Sequence, residues 1–306
     1  MQGKSSAVQV VGLGQACVDY VGRVPAYPPE DQKVELKGLL TSCGGPAATA
    51  MVTLARLRVP AAFLGSISDD AFGIRIRDTL RQEGVDLSAL KVTPGCNSQF
   101  AFIAVTADKG HRTIFWKRGD APGLTPKEVS LDSFPHARIL HVDGLMVEAA
   151  QAAAEQAKQR GWTVVMDAGT LRKGSLDVVS HVDILIASQP FAEALTGSTA
   201  GPEKALWELR ALGPRQVVIT LGAGGSIGLD RSGMVRQQAF PVSARDTTGA
   251  GDVYHGGYIY GVLKGWPMPK CMLFASAAAA LKCKRGEGWQ GIPDLRSIYA
   301  LMEEAL

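Results

Sequence analysis

The chain has 306 residues, of which 46% are hydrophobic and 20% are charged, so it has enough apolar material for a packed core. Its 32 Lys and Arg residues stand against 29 Asp and Glu residues, a balance too mild to indicate a nucleic-acid partner. The five cysteines are widely spread and form no C-x-x-C pair, which argues against a disulfide framework or a zinc knuckle and favours a reducing compartment.

No basic region followed by a long apolar run opens the sequence, so we expect no signal peptide. The longest Ala-rich stretch, Phe274–Leu281, is far too short to span a bilayer. We therefore expect a cytoplasmic protein with neither a membrane nor a nucleic acid among its partners.

Extended segments in the first half of the chain predict a β-hairpin. Phe100–Thr106 and Arg112–Lys117 are two strand-like runs, and the polar connection between them, residues 107–111, contains a glycine. Lys33–Leu40 adds a third extended segment. Together these segments supply enough extended chain for a small sheet outside the main one.

The second half of the chain alternates between short apolar runs and helical patterns, which is typical of βαβ units. The predicted strands are Ile139–Val142, Trp162–Asp167, Val182–Ala187 and Gln216–Leu221, and the predicted helices are Glu148–Arg160 and Glu203–Leu212. We expect an α/β fold in which a mostly parallel sheet carries helices on both faces. The small sheet would form a lid, drawn from about residues 20–41 and 97–119 and inserted into a single domain that spans residues 1–306.

Two common nucleotide-binding motifs are absent from the sequence. Gly12 and Gly14 form a G-x-G pair, but Cys17 replaces the third glycine of the dinucleotide fingerprint and no helical pattern follows. The only Gly-Lys-Ser, at Gly3–Ser5, lacks the upstream glycine of a Walker A motif. We therefore reject both an NAD site of the Rossmann type and a P-loop.

A second glycine-rich segment, Leu221–Ser226, follows a buried strand and permits two interpretations. One is a nucleotide loop; the other is a nucleophile elbow, because Gly224–Gly228 fits G-x-S-x-G. For a serine hydrolase, Asp246 and His255 follow Ser226 in the right order. An elbow requires a helix after the serine, however, and the sequence predicts a short strand and a turn there.

The most informative stretch is Arg245–Gly257, with the sequence RDTTGAGDVYHGG. Small residues around Asp252 leave backbone N–H groups unblocked at the start of a predicted amphipathic helix, Tyr254–Leu263, and such a helix start attracts anions. An ionised carboxylate at this place can accept a proton from a substrate hydroxyl while the N–H groups hold a phosphoryl charge. The alternative is that Asp252 merely caps the helix.

The sequence DTTGAGD resembles the signature of the ribokinase-like (PfkB) carbohydrate kinases, which also carry it late in the chain. The resemblance implies transfer of the γ-phosphoryl group of ATP to a primary hydroxyl of a furanose or ketose-type sugar. By that resemblance Gly249, Ala250 and Gly251 form the anion hole and Asp252 is the catalytic base. Asp246 and Thr247 would lie near the triphosphate.

The same resemblance assigns residues to the sugar. Gly44 and Gly45 match the family's di-glycine at a helix start, although a Gly-Gly pair alone is also typical of a simple strand-to-helix turn. Asp19 matches a sugar-hydroxyl acceptor on the opening strand, because a carboxylate can accept two hydroxyl hydrogen bonds; otherwise it is a surface-loop residue. Thr49 stands where ribokinases carry a substrate Asn, which argues against plain ribose.

Among members of the family, 6-deoxy-6-sulfofructose kinases are the most similar in motif. Lys33 matches a lid lysine that touches the anionic end of that substrate, whereas Trp116 and Leu145 fall on other anion-binding positions and do not match them. The hairpin residues Arg112, Lys117 and Arg118 either supply positive charge to such a substrate or guard a solvated strand edge.

The nucleotide and its ions follow from the resemblance as well. The nucleotide would contact Thr220, Gly222 and Gly225, and adenine would pack against the Ala-rich helix near Ser276, although such helices also serve close helix packing. The Asn-x-x-Glu motif that orders Mg²⁺ in many members is missing, since Ser188 and Phe191 stand at its positions and Glu193 comes two residues late. A segment from Arg285 to Gly288 resembles a loop that helps bind K⁺.

Two further possibilities stay open at this point. A catalytically silent regulator would retain the binding residues for sugar and nucleotide. Lid strands in the family often pair across a homodimer, which makes a second copy of the chain a candidate partner.

Overall fold

The computed structural model describes residues 7–106, 112–197, 201–286 and 288–304. The strands are β1 (Val10–Leu13), β2 (Cys17–Val24), β3 (Gly38–Gly44), β4 (Ala61–Leu64), β5 (Ser66–Ser68), β6 (Lys91–Thr93), β7 (Phe100–Thr106), β8 (Arg112–Lys117), β9 (Ile139–Val142), β10 (Thr163–Ala168), β11 (Ile184–Ser188), β12 (Gln216–Thr220), β13 (Ser226–Asp230) and β14 (Gly233–Gln237). The helices are α1 (Pro46–Arg56), α2 (Ala71–Gln82), α3 (Val147–Gln159), α4 (Ser175–Val179), α5 (Gln189–Thr196), α6 (Gly201–Ala211), α7 (Ala250–Leu263), α8 (Met268–Arg285) and α9 (Leu295–Glu304).

An eight-stranded sheet lies at the centre of the molecule, in the order β14-β13-β12-β11-β10-β9-β1-β4. The strands from β12 to β4 pair in parallel, whereas β13 and β14 are antiparallel to their neighbours. The predicted α/β fold with a mostly parallel sheet is confirmed. The four strands and two helices that the alternating pattern of the second half predicted are all present, with ends shifted by at most two residues.

Helices cover both faces of this sheet. Successive residues of one strand enter different cores: Val10 packs with residues of α1, α7 and α8, and Val11 packs with residues of α3 and α6. All four residues of β1 are buried, as are those of β9, because both faces of the strand are covered.

A second sheet of four strands, in the order β3-β2-β7-β8, stands apart from the first; we call it the small sheet. The hairpin prediction is confirmed, because β7 and β8 pair antiparallel with Phe100 opposite Lys117. Its connection, residues 107–111, lies outside the described residues. A short parallel pair, β5 and β6, completes the strands.

The third predicted extended segment, Lys33–Leu40, begins earlier in the chain than the strand that the structure shows. The strand β3 begins at Gly38 and not at Lys33, because its partner β2 provides pairing positions only for Gly38–Gly44. The exposed residues before Gly38 form an irregular connection from β2.

The helix predicted as amphipathic differs from that description. It begins at Ala250, four residues before the expected start, and it is buried on nearly all sides from Val253 to Gly261. The reason is its position between α1 and α8, which both pack against it. A helix enclosed in this way has no solvent face and therefore no need for a polar stripe.

Candidate active site

The Asp246–Asp252 segment lies at the start of α7 and is held against the end of α8. The amides of Arg245 and Asp246 donate to the carbonyl of Cys283 at 2.9 and 3.4 Å. Gly249 is the N-cap residue of α7 and has φ +76°, a left-handed conformation that suits glycine. The turn into the helix therefore depends on this glycine.

Backbone amides at this helix start differ in their hydrogen bonding. The amide of Thr248 donates to Oδ1 of Asp246 at 2.8 Å, and that of Ala250 donates to the carbonyl of Thr247 at 3.2 Å. The amides of Gly249 and Gly251 donate to no residue that the structure describes. Unpaired amides at the positive end of a helix dipole form a binding place for an anion.

Asp252 lies in the first turn of α7, where it does not act as a cap. The N-cap position belongs to Gly249, and the Asp252 carboxylate accepts no hydrogen bond from any residue within the described ranges. Burial raises the pKa of Asp252, and the charge of Asp167 raises it further, while His255 and Arg112 lower it. A carboxylate with free lone pairs is thus held beside the unpaired amides.

Asp19 lies on β2 of the small sheet and not on the opening strand β1, and it is buried rather than part of a surface loop. Its Oδ1 accepts a hydrogen bond from Sγ of Cys17 at 3.1 Å. Burial raises the pKa of Asp19 to about 6, and the charges of Asp252 and Asp246 add to this effect. The small sheet therefore brings a second carboxylate close to Asp252.

The two glycines before α1 are needed for close approaches. A Cβ atom on Gly44 would lie 2.0 Å from Oδ2 of Asp19, so this glycine leaves the space that the carboxylate occupies. Gly45 is the N-cap residue of α1 with φ +99°, and a Cβ atom there would lie 2.4 Å from the carbonyl oxygen of Gln15. The pair is thus more than a simple turn, because it makes room for Asp19.

Thr49 lies on the buried side of α1, close to the Asp246–Asp252 segment. Its Oγ1 accepts a hydrogen bond from Nε1 of Trp289 at 2.8 Å, and its methyl group lies 3.8 Å from the Cβ position of Gly249. The hydroxyl of Thr49 can still donate one hydrogen bond.

Two buried aspartates at the ends of parallel strands were missed by the sequence interpretation. Asp143 follows β9 and accepts hydrogen bonds from the amides of Gln15 (2.6 Å) and Leu145 (3.1 Å); burial raises its pKa to about 6. Asp167 lies near the end of β10, and burial raises its pKa as well. Asp167 ends a predicted strand and Asp143 directly follows one, and the carboxyl ends of parallel strands are where α/β sheets bind ligands. That signal was available in the sequence.

Two of the candidate nucleotide residues, Gly225 and Ser276, contact one backbone segment, Gln237–Ala239. Gly225 has φ +84°, and a Cβ atom there would lie 2.1 Å from the carbonyl oxygen of Gln237. Ser276, on α8, donates to the carbonyl of Gln238 at 3.5 Å. Thr220 ends β12, and a short 3₁₀ turn, Gly222–Gly224, leads from it to Gly225.

Ser226 does not occupy a nucleophile elbow. It begins the antiparallel strand β13, is buried, and its Oγ lies 3.0 Å from the hydroxyl of Tyr254. The ring of His255 is bonded elsewhere, with Nδ1 2.7 Å from the carbonyl oxygen of Gly251. These contacts provide no strand–turn–helix geometry for a hydrolase.

No hydrogen bond or ion pair between described residues joins Lys33, Ser188 or Glu193 to the Asp246–Asp252 segment. Lys33 lies in the exposed connection between β2 and β3 and makes no ion pair with any described residue. Ser188 caps α5 by accepting from the amide of Phe191, and Glu193 accepts from the side chain of Gln189.

The ion-binding expectations have little local support. Of the potassium loop, Glu287 lies outside the described residues. Across the described ranges, no group of three or more His, Cys, Asp or Glu side chains could hold a metal ion.

Among the described residues, no helix has the length and apolar character needed to cross a membrane.

Comparison with known proteins agrees with this geometry. Residues 8–294 match the model of the pfkB family carbohydrate kinases. The ribokinase of Haemophilus influenzae is 28% identical over 304 residues, covering 96% of this chain and 98% of the relative. The 5-dehydro-2-deoxygluconokinase of Shouchella clausii is 28% identical over 317 residues, covering 96% of this chain and 95% of the relative.

A solved structure shows the same fold. The Arabidopsis thaliana ribokinase complexed with ribose and ATP superposes with a TM-score of 0.82 at 25% identity. The alignment covers 97% of this chain and 99% of that one. The predicted ribokinase-like fold, with its central sheet and small second sheet, is therefore confirmed.

Proposed function

The chain belongs to the pfkB family of carbohydrate kinases, and we propose that Asp252 is the general base of its phosphoryl transfer. The observation that carries this proposal is the unbonded carboxylate of Asp252 beside the unpaired amides of Gly249 and Gly251. The substrates are ATP, which brings Mg²⁺ with it, and a furanose or ketose-type sugar with a primary hydroxyl. Asp246 and Thr247 would lie along the triphosphate.

The sugar, ATP and Asp252 account for every bond and proton that changes in the proposed transfer. The hydroxyl oxygen of the sugar forms a bond to the γ-phosphorus while the bond from that phosphorus to the bridging oxygen of ADP breaks. The hydroxyl proton passes to Asp252, and the amides at the start of α7 stabilise the charge on the phosphoryl oxygens. Mg²⁺, as part of the nucleotide substrate, neutralises charge on the phosphates.

Asp19 and the di-glycine serve the sugar in this proposal. The Asp19 carboxylate, in the space left by Gly44, would accept hydroxyl hydrogen bonds and so orient the sugar toward Asp252. Gly45 and Thr49, at the start of α1, would contact the same ligand. The family relatives are named for different sugars, so we propose the class of sugar and leave its identity to the screen described below.

An anionic end on the sugar has little support from the fold. Lys33 is exposed, and Trp116 is half exposed with the guanidinium of Arg118 5.5 Å from its ring centroid. We therefore propose that the screen begin with neutral ketoses and furanoses, with 6-deoxy-6-sulfofructose as one anionic member.

The nucleotide would lie along the Gln237–Ala239 segment. Gly225 lies against this segment, and Ser276 reaches it from α8. Thr220 and Gly222 precede Gly225 at the end of β12 and in the 3₁₀ turn. We propose that the phosphates follow the glycine turn toward the Asp246–Asp252 segment. Adenine would pack on the small side chains of α8.

We further propose that the small sheet acts as a lid and that two copies of the chain pair through it. Large apolar side chains are exposed on this sheet, namely Leu39, Ile114, Phe115 and Trp116. Exposed apolar patches of this kind are typical of interaction sites. The mass of the protein in solution, measured by light scattering, tests the dimer, and a variant with Phe115→Glu should be monomeric if the proposal holds.

The compartment and the monovalent ion complete the proposal. All five cysteines are unpaired, which fits a cytoplasmic location. K⁺ is proposed only as an activator, to be measured by running each assay with and without it.

A screen of sugars for ADP release, followed by Asp252→Asn, tests the function. General base catalysis is typically worth about 10² to 10⁴ in rate, so this variant should lose activity by that factor while its dissociation constant for ATP changes little. The wild-type rate should also fall as the pH drops through the raised pKa of Asp252, because a base must be ionised. Asp177→Asn, in the exposed first turn of α4, is the matched control and should leave the rate unchanged.

The outcomes separate the alternatives. More than half of the wild-type activity in Asp252→Asn would contradict the assignment of the base. ATP binding by the wild type without ADP release for any sugar would favour the silent regulator.

A further inference from the structure

Arg112 connects the small sheet to the Asp246–Asp252 segment. It is the first residue of β8, and its guanidinium donates a hydrogen bond of 2.6 Å to Oγ1 of Thr247, 135 residues later in the chain. Since β8 is the edge strand of the small sheet, this bond reaches across from the sheet to the start of α7.

The charge of Arg112 acts on the proposed base. It lowers the pKa of Asp252, against the larger effect of burial, which places the guanidinium close to that carboxylate. The two residues nevertheless form no ion pair. Arg112 is exposed, so its guanidinium is free to contact a ligand at the same place.

A second cation lies behind the Asp246–Asp252 segment. Lys282, on α8, is 1% exposed, and its Nζ has no hydrogen-bond partner among the described residues. Burial lowers the pKa of Lys282, the negative charges of Asp246 and Asp252 raise it, and the charge of Arg112 lowers it, so the two cations repel each other. A buried ammonium without a hydrogen-bond partner is costly, and a further anion beside it would reduce that cost.

Arg112, Lys282 and the unpaired amides of Gly249 and Gly251 therefore lie around the Asp246–Asp252 segment. The segment itself contributes two carboxylates, those of Asp246 and Asp252. A phosphoryl group carries negative charge on three oxygens and can accept from a guanidinium and from amides at the same time. Its presence would offset the repulsion between Arg112 and Lys282. Of the nucleotide's phosphates, the one beside the base is the γ-phosphoryl group.

We propose that Arg112 is a catalytic residue that binds the γ-phosphoryl group of ATP from the small sheet, opposite the amides at the start of α7. This inference rests on the proposed function and adds a residue to it. Arginine suits the role because its planar guanidinium bonds two phosphoryl oxygens together, which lysine cannot do. Thr247 would then hold the guanidinium in place before the nucleotide arrives.

The competing explanation is that Arg112 only guards the exposed edge of the sheet. Arg118 provides the comparison, because it follows the same strand and its guanidinium lies over the ring of Trp116, with no contact to the Asp246–Asp252 segment. An edge guard and a phosphoryl ligand predict different results for the two arginines.

The test uses two probes that require no sugar, Mg²⁺·ADP and the Mg²⁺ complex of β,γ-imido-ATP, with dissociation constants measured by titration calorimetry. Arg112→Ala should weaken binding of the imido-ATP by at least about tenfold and that of ADP by less than about twofold, since only the former has a γ-phosphoryl group. Arg112→Lys should recover part of the loss, and Arg118→Ala should change neither constant.

Equal weakening of both nucleotides by Arg112→Ala, or no weakening, would overturn the inference while leaving the kinase itself intact. A wild-type protein that binds neither nucleotide would instead refute the proposed function together with it. Because Arg112 is exposed, its variants should unfold at the wild-type temperature, which the same samples can show by thermal denaturation.

Discussion

Nε2 of His255 lies 3.6 Å from Oδ1 of Asp167, and both side chains are buried beside Asp252. Nδ1 of the same ring lies 2.7 Å from the carbonyl oxygen of Gly251, so Nδ1 must carry a proton. Nε2 faces Asp167 and, at 3.3 Å, the carbonyl oxygen of Ile186, which are both acceptors. A proton must therefore lie either on Nε2 or on Asp167.

Burial decides whether Nε2 of His255 or the Asp167 carboxylate carries the proton. It lowers the pKa of His255 and raises that of Asp167, and both effects favour the neutral pair, in which Asp167 carries the proton. The neighbouring ring of His141, which lies 5.8 Å from His255 between centroids, is also neutral because burial lowers its pKa to about 3. A protonated Asp167 also lacks the negative charge that raises the pKa of Asp252, and so favours the ionised form of Asp252.

We expect ¹⁵N NMR of the five histidines to show His255 as a neutral ring protonated on Nδ1 at pH 7. Asp167→Asn should keep this state, because asparagine is neutral, as the protonated carboxyl group is. His255→Gln identifies the resonance. An imidazolium signal for His255 in the wild type would show that the proton lies on the ring and that the pair is ionic.

The sequence predicted the elements whose signals are local. The β7–β8 hairpin and the alternating strands and helices of the second half each depend on periodicity within a few residues, and they were found as expected. The start of β3 was misplaced because pairing with β2, which lies far away along the chain, decides where that strand begins.

The candidate site also combines residues that a local sequence motif identifies with residues that only the tertiary structure brings together. Asp252 and its glycines form one continuous motif, so they could be recognised directly. Asp143 and Asp167 come together because the neighbouring strands β9 and β10 end at one edge of the sheet, and His255 meets Asp167 from α7. No local pattern encodes that strand order or that packing. From the sequence, Arg112 and Arg118 were both more typical of a solvated strand edge than of an anion site, and only the bond of Arg112 to Thr247 distinguishes the two.

Asp19→Asn should stabilise the protein at neutral pH while impairing sugar binding. The pKa of Asp19 is about 6 in the folded chain, above the ordinary value of about 3.9, so the folded state favours the protonated form. Ionisation thus destabilises the fold by an amount that is absent below about pH 4 and complete above about pH 6, at most about 3 kcal/mol. Asparagine removes this cost.

Urea unfolding at pH 4 and pH 8 measures the effect. The difference between Asp19→Asn and wild type should be small at the lower pH and favour the variant at the higher one, whereas the exposed Glu30→Gln should show no such dependence. Equal stabilities of wild type and Asp19→Asn at pH 8 would contradict the raised pKa. Sugar affinity, measured with any acceptor found in the screen, should fall in the same variant.

Ser226→Ala distinguishes the kinase from the serine hydrolase. Ser226 is buried and shares a hydrogen bond with Tyr254, so its loss leaves that hydroxyl without this partner and should cost about 1–3 kcal/mol of unfolding free energy. Phosphoryl transfer should persist, since the serine touches no reacting group. Labelling of Ser226 by an organophosphate would support the hydrolase, whereas loss of ADP release in a folded Ser226→Ala protein would show that the serine serves phosphoryl transfer after all.

Gly251→Ala separates folding from function at the start of α7. A Cβ atom on Gly251 would meet no other atom within 4 Å, and the residue is exposed with an ordinary helical backbone, so alanine should stabilise the helix by up to about 1 kcal/mol. The same methyl group would enter the space where the proposed anion lies beside the Gly251 amide. We therefore expect a higher melting temperature together with a fall in kcat of at least about tenfold.

Gly84→Ala provides the opposite control. Gly84 also has open space around its Cβ position, but its φ of +81° is unfavourable for alanine, and it follows α2, where no candidate residue lies. This variant should lose about 1 kcal/mol of stability and keep its kcat. If Gly251→Ala keeps its kcat as well, no anion binds against the first turn of α7, and the assignment of the anion hole to Gly249–Gly251 fails.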